Sequence, residues 1–372
     1  LPPTEATTEA EVPPRRGRRR AWIGGAALAA GTAGVLTGCG TVGYVAQAVG
    51  GHMELVRKAR PIPEVIADNA TPAALRERLE LAQRIRRFAV AELALPDTAS
   101  YTRYADLGRA AVVWNVVATP ELSLALKTWC FPLVGCVGYR GFFDREAAEA
   151  FAAALQREGH EVDVYGVPAY STLGWTEWLG GDPLLNTFVG GPATELARLV
   201  FHELAHHVAY AADDTLFNES YAVAVERLGL ERWLAQPGHA AWRVAHESAE
   251  VRRGQFRALA RSARAELAAI YAGPGDEATK RAAKAAAFAR LRAEHQRLKA
   301  GPWQGFAGYD AWFARANNAT LAVQGAYDDL VPAFFALFER EGRDFARFHA
   351  AVRALAALPK AERRATLGAP PA

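Results

Sequence analysis

The run Leu199-Val200-Phe201-His202-Glu203-Leu204-Ala205-His206-His207-Val208 is apolar enough for a buried helix. Yet it carries two histidines four residues apart, with a glutamate directly after the first. Imidazole and carboxylate are costly to bury unless something partners them, so the fold has to bring a second element to this face. Residues i and i+4 of a helix project one turn apart on the same side, so both imidazoles can reach one metal ion. Glu203 lies about 100° further round the helix, beside the water such a metal activates rather than on the metal itself. The spacing predicts a Zn2+ site with His202 and His206 as ligands and Glu203 as the base.

A zinc hydrolase site holds three protein ligands. Thirteen residues beyond His206 comes Glu219, in Asn218-Glu219-Ser220-Tyr221-Ala222. The metal helix is expected from about Pro192 to Ala211, with Arg198, His202 and His206 on one face. Asp213-Asp214-Thr215 then breaks it, and a second helix runs from Phe217 to about Leu228. An antiparallel return brings the early part of the second helix level with the end of the first, which favours Glu219 as third ligand. Glu226 competes for that role: it shares nearly the same helical face but lies about 10 Å further along. If it is not a ligand, it accepts a histidine N–H or is a surface charge. In such a site Glu203 takes the proton of the attacking water and passes it to the leaving amine. A further group must stabilise the oxyanion. Tyr170, Tyr221, His246, Tyr309 and Tyr327 are the candidates, and Tyr170, in the loop Tyr170-Ser171-Thr172-Leu173-Gly174-Trp175 ahead of the metal helix, is preferred.

Charge narrows the class of partner. The formal charge is +3, and residues 1–39 hold five arginines against three glutamates, leaving a near-neutral remainder. Nothing in that balance calls for nucleic acid. The five arginines precede an apolar stretch, Ala21 to Val35, too short to be a comfortable transmembrane helix and ending in Leu36-Thr37-Gly38-Cys39. This is the layout of a secretory signal, and it resembles a bacterial lipoprotein signal. That resemblance implies cleavage before Cys39 and a lipid anchor on that cysteine. Gly40, which is not Asp, favours the outer membrane with the domain facing the periplasm. Of the three cysteines, Cys130 and Cys136 then remain. In an oxidising compartment a disulfide between them is favoured over two buried thiols.

The expected organisation is a signal peptide over 1–38 and a lipidated tether over 39–70. An α+β core carrying the metal helix follows over 71–236, then a helical region over 237–372 that packs on it. An amphipathic helix is expected from Thr71 to about Leu95, and strands at Ala111–Val117, Val134–Tyr139 and Glu161–Tyr165. A helix is expected from Asp144 to Glu158, and helical stretches over 240–272 and 276–299 form a hairpin.

Four segments carry a more specific likeness: Phe201 to His207, Phe217 to Ala222, Tyr170 to Trp175 and Cys136-Val137-Gly138-Tyr139-Arg140-Gly141. With them the chain resembles the putative aminopeptidase family of Gram-negative lipoproteins, from the lipobox through Asn317-Asn318 to Val331-Pro332-Ala333-Phe334. The resemblance implies a gluzincin-type HExxH metallopeptidase. Its domain would be zincin-like, α+β and predominantly helical, with a small β-sheet and a C-terminal helical region. Zinc would sit on His202, His206 and Glu219, with Glu203 as base and a peptide as substrate. Two departures from the broader gluzincin pattern stand out. The gap from second histidine to glutamate is short, a longer gap would select Glu226, and Val223 stands where an Asp often follows. The alternatives to an aminopeptidase are an envelope binding or scaffold lipoprotein with a structural metal site, and a zinc endopeptidase or amidase acting on cell-wall peptides.

Overall fold

The computed structural model describes residues 50–51, 53–131, 135–169, 181–324 and 330–368. Within it the described residues, from Gly50 on, pack as one compact unit. After a helical stretch over residues 53–58 the chain runs through β1 (Arg60–Pro61), α1 (Ile62–Ala67) and the long α2 (Ala73–Leu93). Pro72 is the residue that precedes the first turn of α2, so the helix starts at Ala73, two positions later than the Thr71 start expected from the sequence. Then come β2 (Arg103–Ala105), β3 (Val113–Pro120), β4 (Trp129–Phe131), β5 (Gly135–Val137) and β6 (Arg140–Phe142). Helix α3 (Arg145–Arg157) leads into β7 (His160–Val167), β8 (Leu184–Leu185) and the single turn α4 (Asn186–Val189).

The rest is helical. It comprises α5 (Ala193–His206), α6 (Thr215–Leu234), α7 (Ala240–Ala272), α8 (Glu277–Ala300), α9 (Asp310–Arg315), α10 (Asn318–Val323), α11 (Val331–Arg340), α12 (Phe345–Ala356) and α13 (Lys360–Leu367). No described helix is long and apolar enough to cross a membrane.

Three small sheets punctuate the helices. The β-branched run of β3 pairs antiparallel with β7 over eight residues, from Val113↔Val167 to Pro120↔His160, and with β6 on its other side. Helix α3, capped by the Asp144 carboxylate on the Ala147 N–H, packs its apolar stripe on that sheet. Strand β2 joins β1 antiparallel and β8 parallel, which places β8, and the α4–α5 segment after it, beside the entry segment. Strands β4 and β5 form a hairpin in which Cys130 and Cys136 face each other and are joined by a disulfide.

The main core gathers around α5. Leu196, Ala197, Val200, Phe201, Leu204 and Ala205 are almost wholly withdrawn from water and pack with residues of α2, α6, α11 and α12. Phe88 of α2 lies with its ring centroid 5.9 Å from that of Phe201. Gly229 lets α6 come in against them: a Cβ there would sit 2.6 Å from the Leu93 Cδ1. A second apolar cluster fills the α7–α8 hairpin, with Phe256, Phe288, Leu291, Trp303 and Phe313 at its centre.

Candidate metal centre

Helix α5 ends five residues earlier than its apolar pattern suggests, at His206. The His207 N–H goes to the Leu204 carbonyl and the Val208 N–H to the Ala205 carbonyl, so the last turn tightens and stops. The chain then reverses. Asp214 caps α6 by accepting the Phe217 N–H, and Asn218 takes both backbone groups of Ala211 with its amide. Helix α6 returns antiparallel to α5, and the side chains between them form a ladder.

At the first rung, His202 Nε2 and His206 Nε2 lie 3.3 Å apart. The Glu219 carboxylate reaches both, 3.4 Å from His202 Nε2 and 3.8 Å from His206 Nε2. One donor atom from each of these three residues falls within a 4.8 Å cluster, the one such group of three or more among the described residues. Glu226 is not part of it. It stands one rung further along, 3.0 Å from the other ring nitrogen of His202, Nδ1. The geometry thus separates two glutamates that spacing alone left in competition.

The site is sheltered and strongly coupled. Burial weighs against charge on His202, but hydrogen bonds donated to the Glu219 and Glu226 carboxylates outweigh it and raise its pKa to about 10. Burial, reinforced by the charge on His202, holds His206 down to about 4. Glu219 is likewise held below the usual carboxylate range: burial would raise it, and the histidines more than compensate. The Glu203 Oε2 atom is shielded from solvent, and its charge adds to the field on His202. His206 Nδ1 is also shielded and has no hydrogen-bond partner among the described residues. Two imidazole nitrogens and a carboxylate converging this closely in a partly buried place suit a divalent cation well, and the N2O donor set is one that zinc takes.

The remaining candidates scatter. Tyr221 points to the opposite side of α6, fully buried, with its hydroxyl 2.8 Å from His349 Nδ1, so it serves the core and not the site. Tyr309 stacks on Phe256 in the α7–α8 cluster, with centroids 4.4 Å apart. His246 sits on α7 among Glu250, Arg198, Arg253 and Glu195, where burial lowers its pKa. His207 ends α5. Tyr170, Tyr327 and Cys39 lie outside the described residues. Two sets of ion pairs had no reading from the sequence, which offered Asp213 and Asp214 as capping residues and Arg198 only as a neighbour on the metal face. Asp213 and Asp214 are ion-paired to Arg363 and Arg364 of α13. Arg198 grips Glu226, a contact foreshadowed only by its place four residues before His202.

The family described as "Putative aminopeptidase" matches residues 43–367. The chain belongs to that family. The match spans the fold from its entry segment to α13, and it points to a peptidase. No curated protein and no solved structure matches the chain.

Proposed function

We propose that this member of the aminopeptidase family is a zinc-dependent peptidase of the gluzincin type. His202, His206 and Glu219 would hold the metal, and a zincin-like arrangement of α5 and α6 would carry it. The observation that supports this reading is the convergence of one donor atom from each of those residues within 4.8 Å. When bound, the metal polarises a peptide carbonyl and acidifies a water beside it. Glu203 follows His202 on the helix, and its carboxylate takes the proton of the attacking water and delivers it to the leaving amine. The burial of α5 excludes bulk water from one side of the reacting groups, which strengthens every charge interaction there. Short peptides attacked from their N-termini are the proposed substrates. Cys39 is proposed to carry a lipid that anchors the domain at the outer membrane, facing the periplasm.

Metal analysis of the purified protein tests the reading, combined with assays on free and N-terminally blocked peptides before and after chelation. One zinc per chain and chelator-sensitive cleavage of free peptides are expected. Stoichiometric zinc with no hydrolysis would favour a structural metal site in a scaffold protein. Cleavage of blocked peptides alone would replace the aminopeptidase with an endopeptidase.

A further inference from the structure

We infer that Glu226 and Arg198 form a positioning pair that fixes the ring of His202 and presents its Nε2 to the metal. This rests on the proposed metal site. A carboxylate is an acceptor, so the 3.0 Å contact between Glu226 Oε2 and His202 Nδ1 requires the proton to sit on Nδ1. The ring is thereby committed to presenting Nε2 to a cation, which displaces the proton there, and its plane is fixed by the contact. The second carboxylate oxygen of Glu226 is held by Arg198, whose Nε lies 2.9 Å away and whose Nη2 also reaches it. Glu226 therefore cannot rotate away from His202 without abandoning a guanidinium.

The pair is built into the fold. Glu226 is 7% exposed, and Arg198 is itself flanked by Glu250 at 3.4 Å and Glu195 at 3.7 Å. Arg253 of α7 binds both of those glutamates. Charges of alternating sign thus run from α7 along the groove between α5 and α6 and end at His202. His206 has no such support among the described residues, since its Nδ1 is buried without a partner there. The two histidines are therefore unequal. His202 is the fixed ligand, and His206 completes the site.

Losing one member of a buried pair strands the other, so a single substitution mixes stability with positioning. The full chain is compared as wild type, Glu226→Leu and the double variant Arg198→Met with Glu226→Leu, in which neither the acceptor for His202 Nδ1 nor a stranded guanidinium remains. Zinc affinity is measured by chelator competition, the unfolding midpoint on the metal-free chain, and the His202 Nδ1 proton by 15N–1H NMR. The expected result is zinc binding weakened about 10- to 100-fold in both variants. In wild type the Nδ1 proton should lie downfield with zinc bound through Nε2, and the double variant should keep the wild-type midpoint. Wild-type zinc affinity in the double variant overturns the inference, as does a fall in affinity matched by an equal fall in stability. So does ligation of zinc by His202 Nδ1. A wild-type chain that takes up no zinc overturns the proposed function instead. The Nδ1 proton signal of the metal-free chain then decides this inference separately, a downfield hydrogen-bonded proton upholding it and its absence overturning it.

Discussion

The side-chain amide of Asn218 holds both backbone groups of Ala211, accepting its N–H at 2.8 Å and donating to its carbonyl at 2.8 Å. Asn218 is 2% exposed and directly precedes Glu219. The clamp closes the reversal between α5 and α6, so it sets how far Glu219 stands from the two histidines. Substituting Asn218→Ala leaves an N–H and a carbonyl buried without partners, at about 1–3 kcal/mol each. Stability measured by urea unfolding is expected to fall by about 2–4 kcal/mol, and zinc affinity should fall with it. Asn218→Asp keeps one acceptor and should lose less.

The same reversal is clasped from the far end of the chain. Asp214 caps α6 and is paired to Arg363 and Arg364, all three nearly inaccessible to water. Arg363 also donates to the Leu358 carbonyl and lies with its guanidinium 5.3 Å from the Phe217 ring. Asp214→Ala removes the cap and strands two buried cations, so a loss of about 3–5 kcal/mol is expected by chemical unfolding. Truncation after Pro359 removes α13 and should weaken zinc binding, although α13 supplies none of the proposed ligands. Wild-type zinc affinity in the truncated chain would show that the clasp and the site are uncoupled.

His349 gives the fold a pH dependence of definite sign. Its Nδ1 lies 2.8 Å from the Tyr221 hydroxyl and its Nε2 2.8 Å from the Leu93 carbonyl. Burial lowers its pKa to about 4 from an ordinary 6.5, with the Leu93 carbonyl opposing only in part. The folded state therefore resists the proton that the unfolded chain accepts. The stability it contributes is full above pH 6.5 and is lost as pH falls toward 4. At about 1.4 kcal/mol per unit the loss is about 3 kcal/mol. Thermal unfolding across that window in wild type and His349→Gln should give converging stabilities as the pH falls, because the variant has no proton to gain there.

Much of the helical framework could be read from the sequence, because it rests on local signals. Gly273-Pro274-Gly275 divides α7 from α8, Asp144 caps α3, and Asn317 caps α10 by accepting the Thr320 N–H. The end of α5 could not be read, because the apolar pattern continues through Val208 and Ala211 while the backbone is turned aside by the Asn218 clamp. The short strands β1, β2 and β8 escaped for a related reason. They are two or three residues long and are defined by pairing across more than forty residues of chain, not by any pattern of their own. At the site, His202, Glu203 and His206 follow from helical spacing alone. The choice between Glu219 and Glu226 depended on how deep the return is, a tertiary quantity. The contribution of Arg363 and Arg364 comes from residues about 150 positions away, beyond the reach of any local argument.

In the proposed mechanism Glu203 moves a proton beside a zinc held by His202, His206 and Glu219. The most direct measurement is kcat for a free peptide in wild type and Glu203→Gln, each with its zinc content determined on the same sample. One zinc per chain is expected in both proteins, with a kcat lower by about a hundred- to ten-thousandfold in the variant. A variant that keeps its zinc and hydrolyses the peptide at the wild-type rate would contradict it.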